Sequence, residues 1–257
     1  IAETESILGS NKKVGKLISS QLVQIKKKYA KPRKTEILYE YEEHELPAKQ
    51  IESYEVYVIM TSEGYFKKIV PGKNDKIKDA EQTLKEGDSV KYEYDAKNDD
   101  DLLFFSTSGD VYKAKIDDFD AVKPQALGDY IPAKLGFTEN EKVVAMITGR
   151  EYKGEVVIFF ENGKAVKIPL KAYETKTNRK KLTGGYSTDS PAVGIFYLPQ
   201  HSGRGTETEY ILISSSMRCI ILNSSQITSK VTRSSSGAVV FTLKKGQKVQ
   251  SAEIFKD

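Results

Sequence analysis

Apolar residues recur along this chain at two spacings. Between Ser10 and Tyr29, Val14, Leu17, Ile18, Leu22 and Ile25 return every three or four positions, the period of an amphipathic helix. Ser10 or Asn11 supplies a polar start, and Pro32 bars continuation. Lys26, Lys27 and Lys28 stand at the C-terminal end, where positive charge suits the helix dipole. Such a stripe calls for an apolar partner, either the following domain or another helix.

From about Ile37 onward the pattern shortens to strands. Residues 56–60, 102–105, 156–160 and 210–213 are apolar and rich in β-branched or aromatic side chains. Each runs into a turn: Ser62-Glu63-Gly64, Thr107-Ser108-Gly109, Glu161-Asn162-Gly163 and Ser215-Ser216-Met217. A second strand follows each turn, and after a longer connection a third, at 90–94, 143–147, 192–198 and 249–255. The turn residues Gly64, Gly109, Gly163 and Met217 fall about 45 to 54 residues apart. Several strands per unit at such a period predict a propeller-like array, here of four units. Met217 stands where the other turns have glycine, which predicts a different turn geometry in the fourth unit.

Composition narrows the class. The chain has 257 residues, 39% hydrophobic and 10% aromatic, enough for a sizeable core and against global disorder. Forty basic and 36 acidic side chains give a net charge of only +4, so a basic surface has to come from uneven placement. Cys219 is the single cysteine; a disulfide framework is excluded and a reducing compartment fits. Its apolar neighbours Ile220, Ile221 and Leu222 predict a buried, structural thiol. No apolar run reaches the roughly 18 residues that read as a membrane span, and no secretory leader is visible. The first residue is Ile1, which suggests a fragment of a longer chain.

Catalytic chemistry is not legible. His44 and His201 are far apart and without cysteine partners, unlike a zinc site. There is no phosphate-binding G-x-x-x-x-G-K-[ST]. Asn98-Asp99-Asp100-Asp101 lacks the spacing of a calcium loop and reads as a solvated turn. Nothing in the order of Ser, His and Asp suggests a triad.

Basic residues, by contrast, recur after the hairpin turn in every unit: Lys67 and Lys68, Lys113 and Lys115, Lys164 and Lys167, then Arg218. In a radial array, equivalent positions form a ring, and a basic ring suits a polyanion. Strand lysines also discourage edge-to-edge aggregation. The cluster Lys176, Arg179, Lys180 and Lys181, followed by Gly184-Gly185, tips the balance toward phosphate, since glycine lets a backbone approach a ligand.

Two stretches carry a family likeness. Leu22-Val23-Gln24-Ile25-Lys26-Lys27-Lys28-Tyr29, followed by Arg33-Lys34-Thr35-Glu36-Ile37, resembles the end of a coiled-coil arm. The hairpin Ile59-Met60-Thr61-Ser62-Glu63-Gly64-Tyr65-Phe66-Lys67-Lys68 looks like a first propeller blade. Together with the repeats, they resemble the C-terminal region of the A subunit of bacterial type IIA topoisomerases, DNA gyrase and topoisomerase IV. The resemblance covers essentially the whole chain. It implies a mainly β fold, a β-pinwheel whose blades exchange strands, preceded by a helix. The expected domains are residues 1–36, the end of the arm, and 37–257, a DNA-binding disc. Family members carry up to six blades and four are legible here, which leaves room for an open disc.

The resemblance further implies duplex DNA on the basic rim, a partner B subunit with the ATPase site, and a homodimer formed through the coiled-coil region. It implies a cytoplasmic location at the nucleoid and no membrane contact. No cofactor is expected in this segment, because ATP and magnesium act on other domains of such enzymes. The cleavage tyrosine lies in an Ala-Arg-Tyr-Thr context that this chain lacks, so the segment is expected to be noncatalytic. Gyrase carries a Gln-Arg-Arg-Gly-Gly-Lys-Gly box in its first blade. Here the first-blade loop is Pro71-Gly72-Lys73-Asn74-Asp75-Lys76-Ile77-Lys78, and the nearest match, Asn178-Arg179-Lys180-Lys181, falls in the third unit. That departure favours relaxation and decatenation over supercoiling. The rival reading is a propeller that serves as a protein-interaction platform, with scattered basic residues and an exposed apolar patch.

Overall fold

The computed structural model describes residues 2–31, 51–72, 82–148, 150–175, 180–200 and 208–255. The chain divides into two compact units, residues 1–49 and 50–257. The boundary expected after residue 36 lies outside the described residues.

The first unit contains α1 (Ala2–Leu8) and α2 (Asn11–Tyr29). The expected helix is α2; α1 falls before the periodic stretch. Ser10 precedes α2 in an extended conformation, but its side chain makes no capping bond. The stripe residues Leu17, Ile18, Leu22 and Ile25 are all exposed. No helix among the described residues is long and apolar enough to cross a membrane.

The second unit is four consecutive sheets. The first unit of the repeat gives β1 (Glu55–Thr61), β2 (Tyr65–Ile69) and β3 (Val90–Lys97). The second gives β4 (Asp101–Ser106), β5 (Val111–Lys115), the short β6 (Asp129–Tyr130) with α3 (Ile131–Leu135), and β7 (Val143–Thr148). The third gives β8 (Glu155–Phe160), β9 (Lys164–Pro169), β10 (Lys181–Leu182) and β11 (Ala192–Leu198). The fourth gives β12 (Glu209–Ser214), β13 (Cys219–Asn223), β14 (Ala238–Val239) and β15 (Val249–Ile254).

Each short strand leaves its own unit and completes the sheet before it. The sheet orders are β3-β1-β2-β6, β10-β5-β4-β7, β11-β8-β9-β14 and β13-β12-β15. The fold is thus mainly β, propeller-like and four-bladed, with strands passed between neighbouring blades. The third strands β3, β7, β11 and β15 neighbour one another in succession, so they form the inner edges. The second strands β2, β5 and β9, each covered by an exchanged segment, form the perimeter. An exchanged strand closes an edge that would otherwise expose its backbone groups.

Central strands read as continuous apolar runs because both faces are packed. In β4, Leu102 and Phe104 pack toward the first blade, while Leu103 and Phe105 pack toward the third. In β8, Val156 and Ile158 face back, and Val157 and Phe159 face the fourth blade. Three apolar cores therefore join the blades one to two, two to three and three to four. A smaller cluster, Tyr57, Ile59 and Ile69, lies on the other face of the first blade. No core cluster among the described residues joins the fourth blade to the first.

Two expectations are corrected. Met217 adopts φ +59°, the same left-handed region as Gly64, Gly109 and Gly163, so the fourth turn keeps the geometry despite its side chain. The reason is space. A Cβ on Gly109 would lie 2.4 Å from Thr188 Cγ2, and one on Gly163 would lie 2.2 Å from the Phe241 carbonyl oxygen, in the incoming connector. No strand among the described residues covers β13, and Met217 is exposed. Cys219, expected to be buried, is likewise exposed. It begins the uncovered edge strand, on the face opposite the core residue Leu222.

Candidate nucleic-acid interface

Counting from the turn residue aligns the second strands. Lys68, Lys113 and Lys167 each stand four residues after Gly64, Gly109 and Gly163; Ile221 stands four after Met217. At this position the backbone meets the connector arriving from the next unit. Val122 donates its N–H to the Lys68 carbonyl at 2.8 Å, Lys113 N–H donates to the Lys180 carbonyl at 2.7 Å, and Lys230 N–H donates to the Lys167 carbonyl at 2.8 Å. The recurring lysine therefore marks a joint between blades.

Its side chain serves the same joint. The Lys68 ammonium donates to the Phe119 carbonyl at 2.7 Å, the Ile116 carbonyl at 3.3 Å and Asn98 Oδ1 at 2.8 Å. Ile116 and Phe119 flank the turn after β5, so Lys68 reaches into the second blade. Lys113 is half-buried, donates to Thr175 Oγ1 at 3.2 Å, and lies over the Tyr152 ring. Its desolvation lowers its pKa. Lys167 is 3.5 Å from Glu155 of its own sheet.

As solvent-facing phosphate contacts, Lys67 and Lys68 are withdrawn: they are 1% and 4% exposed. Lys67 donates to the Thr83 carbonyl at 2.7 Å and the Pro124 carbonyl at 2.9 Å, and burial lowers its pKa. Their ammonium groups are consumed by carbonyls, which a buried charge requires.

Other predicted cations are paired at the surface. Lys115 bonds Asp101 at 2.9 Å. Lys181 bonds Asp110 at 2.9 Å and Tyr112 Oη at 2.8 Å, and these two bonds, that to Tyr112 first, raise its pKa. Lys164 is half-buried beside its turn, its N–H donating to Asn162 Oδ1. Arg218 is exposed, stacks 5.4 Å from the Phe241 ring and donates weakly to the Thr242 carbonyl. Lys180 is exposed, while Lys176 and Arg179 lie outside the described residues.

The unpaired positive charge sits instead in the connectors. Lys123, Lys180 and Lys230 are exposed and carry no ion pair among the described residues. Lys123 follows Val122, and Lys180 and Lys230 themselves make the backbone bonds at the joints. The three joints thus each place a lysine on the outer edge. Sequence reading picked only Lys180, because Lys123 and Lys230 stand at unequal distances from their turns; only the backbone bonds reveal their equivalence. No group of three or more His, Cys, Asp or Glu side chains suited to a metal ion occurs among the described residues.

No protein-family model matches the chain. Among curated relatives, it is 26% identical to the A protein of DNA topoisomerase 4 from Bacillus subtilis over 71% of this chain and 23% of that protein. It is 30% identical to the A protein of DNA gyrase from Clostridium acetobutylicum over 60% of this chain and 19% of that protein. The chain thus spans about a quarter or less of the length of these relatives. Among solved structures, the C-terminal domain of DNA topoisomerase IV superposes with a TM-score of 0.67 at 20% identity, covering 80% of this chain and 62% of that one. A DNA gyrase A C-terminal domain gives 0.55 at 15% identity, covering 81% and 68%.

Proposed function

We propose that this chain, a C-terminal domain of the kind carried by the A proteins of DNA gyrase and topoisomerase IV, binds duplex DNA along its perimeter and does no chemistry itself. The observation that carries this reading is the recurrence of an exposed lysine at each exchanged joint, Lys123, Lys180 and Lys230. Phosphate contacts require charge at the backbone spacing and no base reading, so affinity should depend little on sequence and favour bent duplex. Arg218 adds a cation on the same side of the fourth blade's turn. Lys164, Lys176, Arg179 and Lys181 complete the proposed set from the third unit, with Lys115, Lys113 and Lys167 as weaker members because partners already hold them.

In the parent protein the domain would act beside a DNA-cleaving region and an ATPase B subunit, as a dimer, in the bacterial cytoplasm. The first-blade loop lacks the gyrase box, which supports relaxation and unlinking over supercoiling. Two measurements test this reading. Duplex binding should weaken as salt rises, with a slope of about 0.9 per phosphate contact. Replacing Lys123, Lys180 and Lys230 with Ala should reduce that slope; a flat salt response in the parent sequence overturns the reading. Binding to closed circular DNA followed by relaxation should leave the linking number nearly unchanged; a stoichiometric shift would instead indicate chiral wrapping.

A further inference from the structure

The fourth blade departs from the other three at one edge. In β2, β5 and β9 the residue four after the turn has its backbone groups directed away from its own sheet, where the connector meets them at Lys68, Lys113 and Lys167. In β13 the register is the same: Ser214 N–H donates to the Arg218 carbonyl, so Arg218, Ile220 and Leu222 face β12, while Cys219 and Ile221 face outward. No backbone bond from outside the sheet reaches Cys219 or Ile221 among the described residues. β13 is also the only second strand without a charged residue, and lysine on an edge strand is a common guard against edge pairing.

The adjoining face is apolar. Ile221 is 53% exposed and lies opposite Ile211, while Cys219 lies opposite Ile213. These side chains point where, in earlier blades, the next sheet packs. Head-to-tail pairing with the first blade of another copy is blocked. There the corresponding residues Tyr57, Ile59 and Ile69 are 6%, 1% and 3% exposed, and Lys67 is already bonded to the Thr83 and Pro124 carbonyls. An occupant with the same open edge remains.

We propose that two copies of this chain associate through β13, antiparallel about a two-fold axis at Ile221. Ile221 then exchanges both backbone bonds with Ile221 of the second copy, and Cys219 stands opposite Asn223. The interface is isologous, so it closes at a dimer. The pairing joins two three-stranded sheets and continues the isoleucine stripe across the seam.

The full chain is expected to sediment as a dimer as its concentration is raised. Ile221→Lys installs the lysine that the other second strands carry and should give a monomer with unchanged thermal unfolding at low concentration. Leu22→Lys on the exposed stripe of α2 should leave the dimer intact. Asn223→Cys faces Cys219 of the other copy. Bonded residues opposed in antiparallel strands sit about 5.5 Å apart at Cα, within disulfide reach, so mild oxidation should give a cross-linked dimer. That measurement does not depend on Ile221→Lys folding. A monomer at every concentration, a dimer that survives Ile221→Lys or is lost only with Leu22→Lys, or no cross-link from Asn223→Cys each overturns the proposal. In any of these cases another surface or another occupant covers the edge.

Discussion

The Lys68 ammonium lies 2.7 Å from the Phe119 carbonyl oxygen, tying the outer strand of the first blade to the turn that follows the second strand of the next. Lys68→Met removes the donor and leaves buried acceptors at Ile116, Phe119 and Asn98. Each unsatisfied buried group costs about 1–3 kcal/mol, so a loss of about 2–4 kcal/mol is expected in urea denaturation. The salt slope of DNA binding should not change in the folded fraction. An effect on that slope would return Lys68 to the interface.

The contrast case is Lys115, whose bond to Asp101 is partly solvated. Surface pairs contribute roughly 0–1 kcal/mol. Lys115→Ala should therefore alter urea stability by less than Lys68→Met, although both lysines sit in second strands.

Glycine at the turns gives a third expectation. Gly163→Ala places Cβ against the Phe241 carbonyl oxygen at a φ of +78°, where both strain and overlap oppose it. A loss of about 2–3 kcal/mol is expected, since left-handed backbone alone costs a non-glycine residue roughly 1–2 kcal/mol. Met217→Gly has no overlap to relieve and should stabilise by up to about 1 kcal/mol. Chemical denaturation of the two variants gives opposite signs if the fourth turn is uncovered as described.

Glu141 sets an acid limit. Burial by itself would push its pKa up, but hydrogen bonds from Ser106, Ser108 and Thr138 outweigh this and hold it at about 2, below the ordinary 4.5. A depressed carboxylate contributes stability above its unfolded pKa and loses it as pH falls through the folded one. The contribution, on the order of 2–3 kcal/mol, should fade between about pH 4.5 and 2. Glu141→Gln should lower stability at neutral pH and flatten that acid limb in pH-dependent unfolding.

Much of the fold is written locally. The runs at residues 56–60, 102–105, 156–160 and 210–213 became β1, β4, β8 and β12, because an apolar run bounded by a turn specifies a strand packed on both faces. The third strands followed the same logic. The strands Asp129–Tyr130, Lys181–Leu182 and Ala238–Val239 were not legible. Each is two residues long, and its partner belongs to the preceding unit. Strand exchange itself was expected only from the family likeness, with no position attached to it.

Side-chain fate divides in the same way. The sequence by itself determined the period, the turns, and the recurrence of lysine after each turn, since spacing and residue type are local properties. Only the tertiary structure decided what those lysines do. Lys67 and Lys68 are adjacent in an edge-like strand, and nothing in their neighbours signals burial. The carbonyls of Thr83, Ile116, Phe119 and Pro124 come from distant segments, and a charge can stay inside only where such acceptors converge. Cys219 and Ile221 went the other way. Their apolar setting reads as core, yet the strand that would cover them is absent from the fourth sheet, and burial depends on that neighbour.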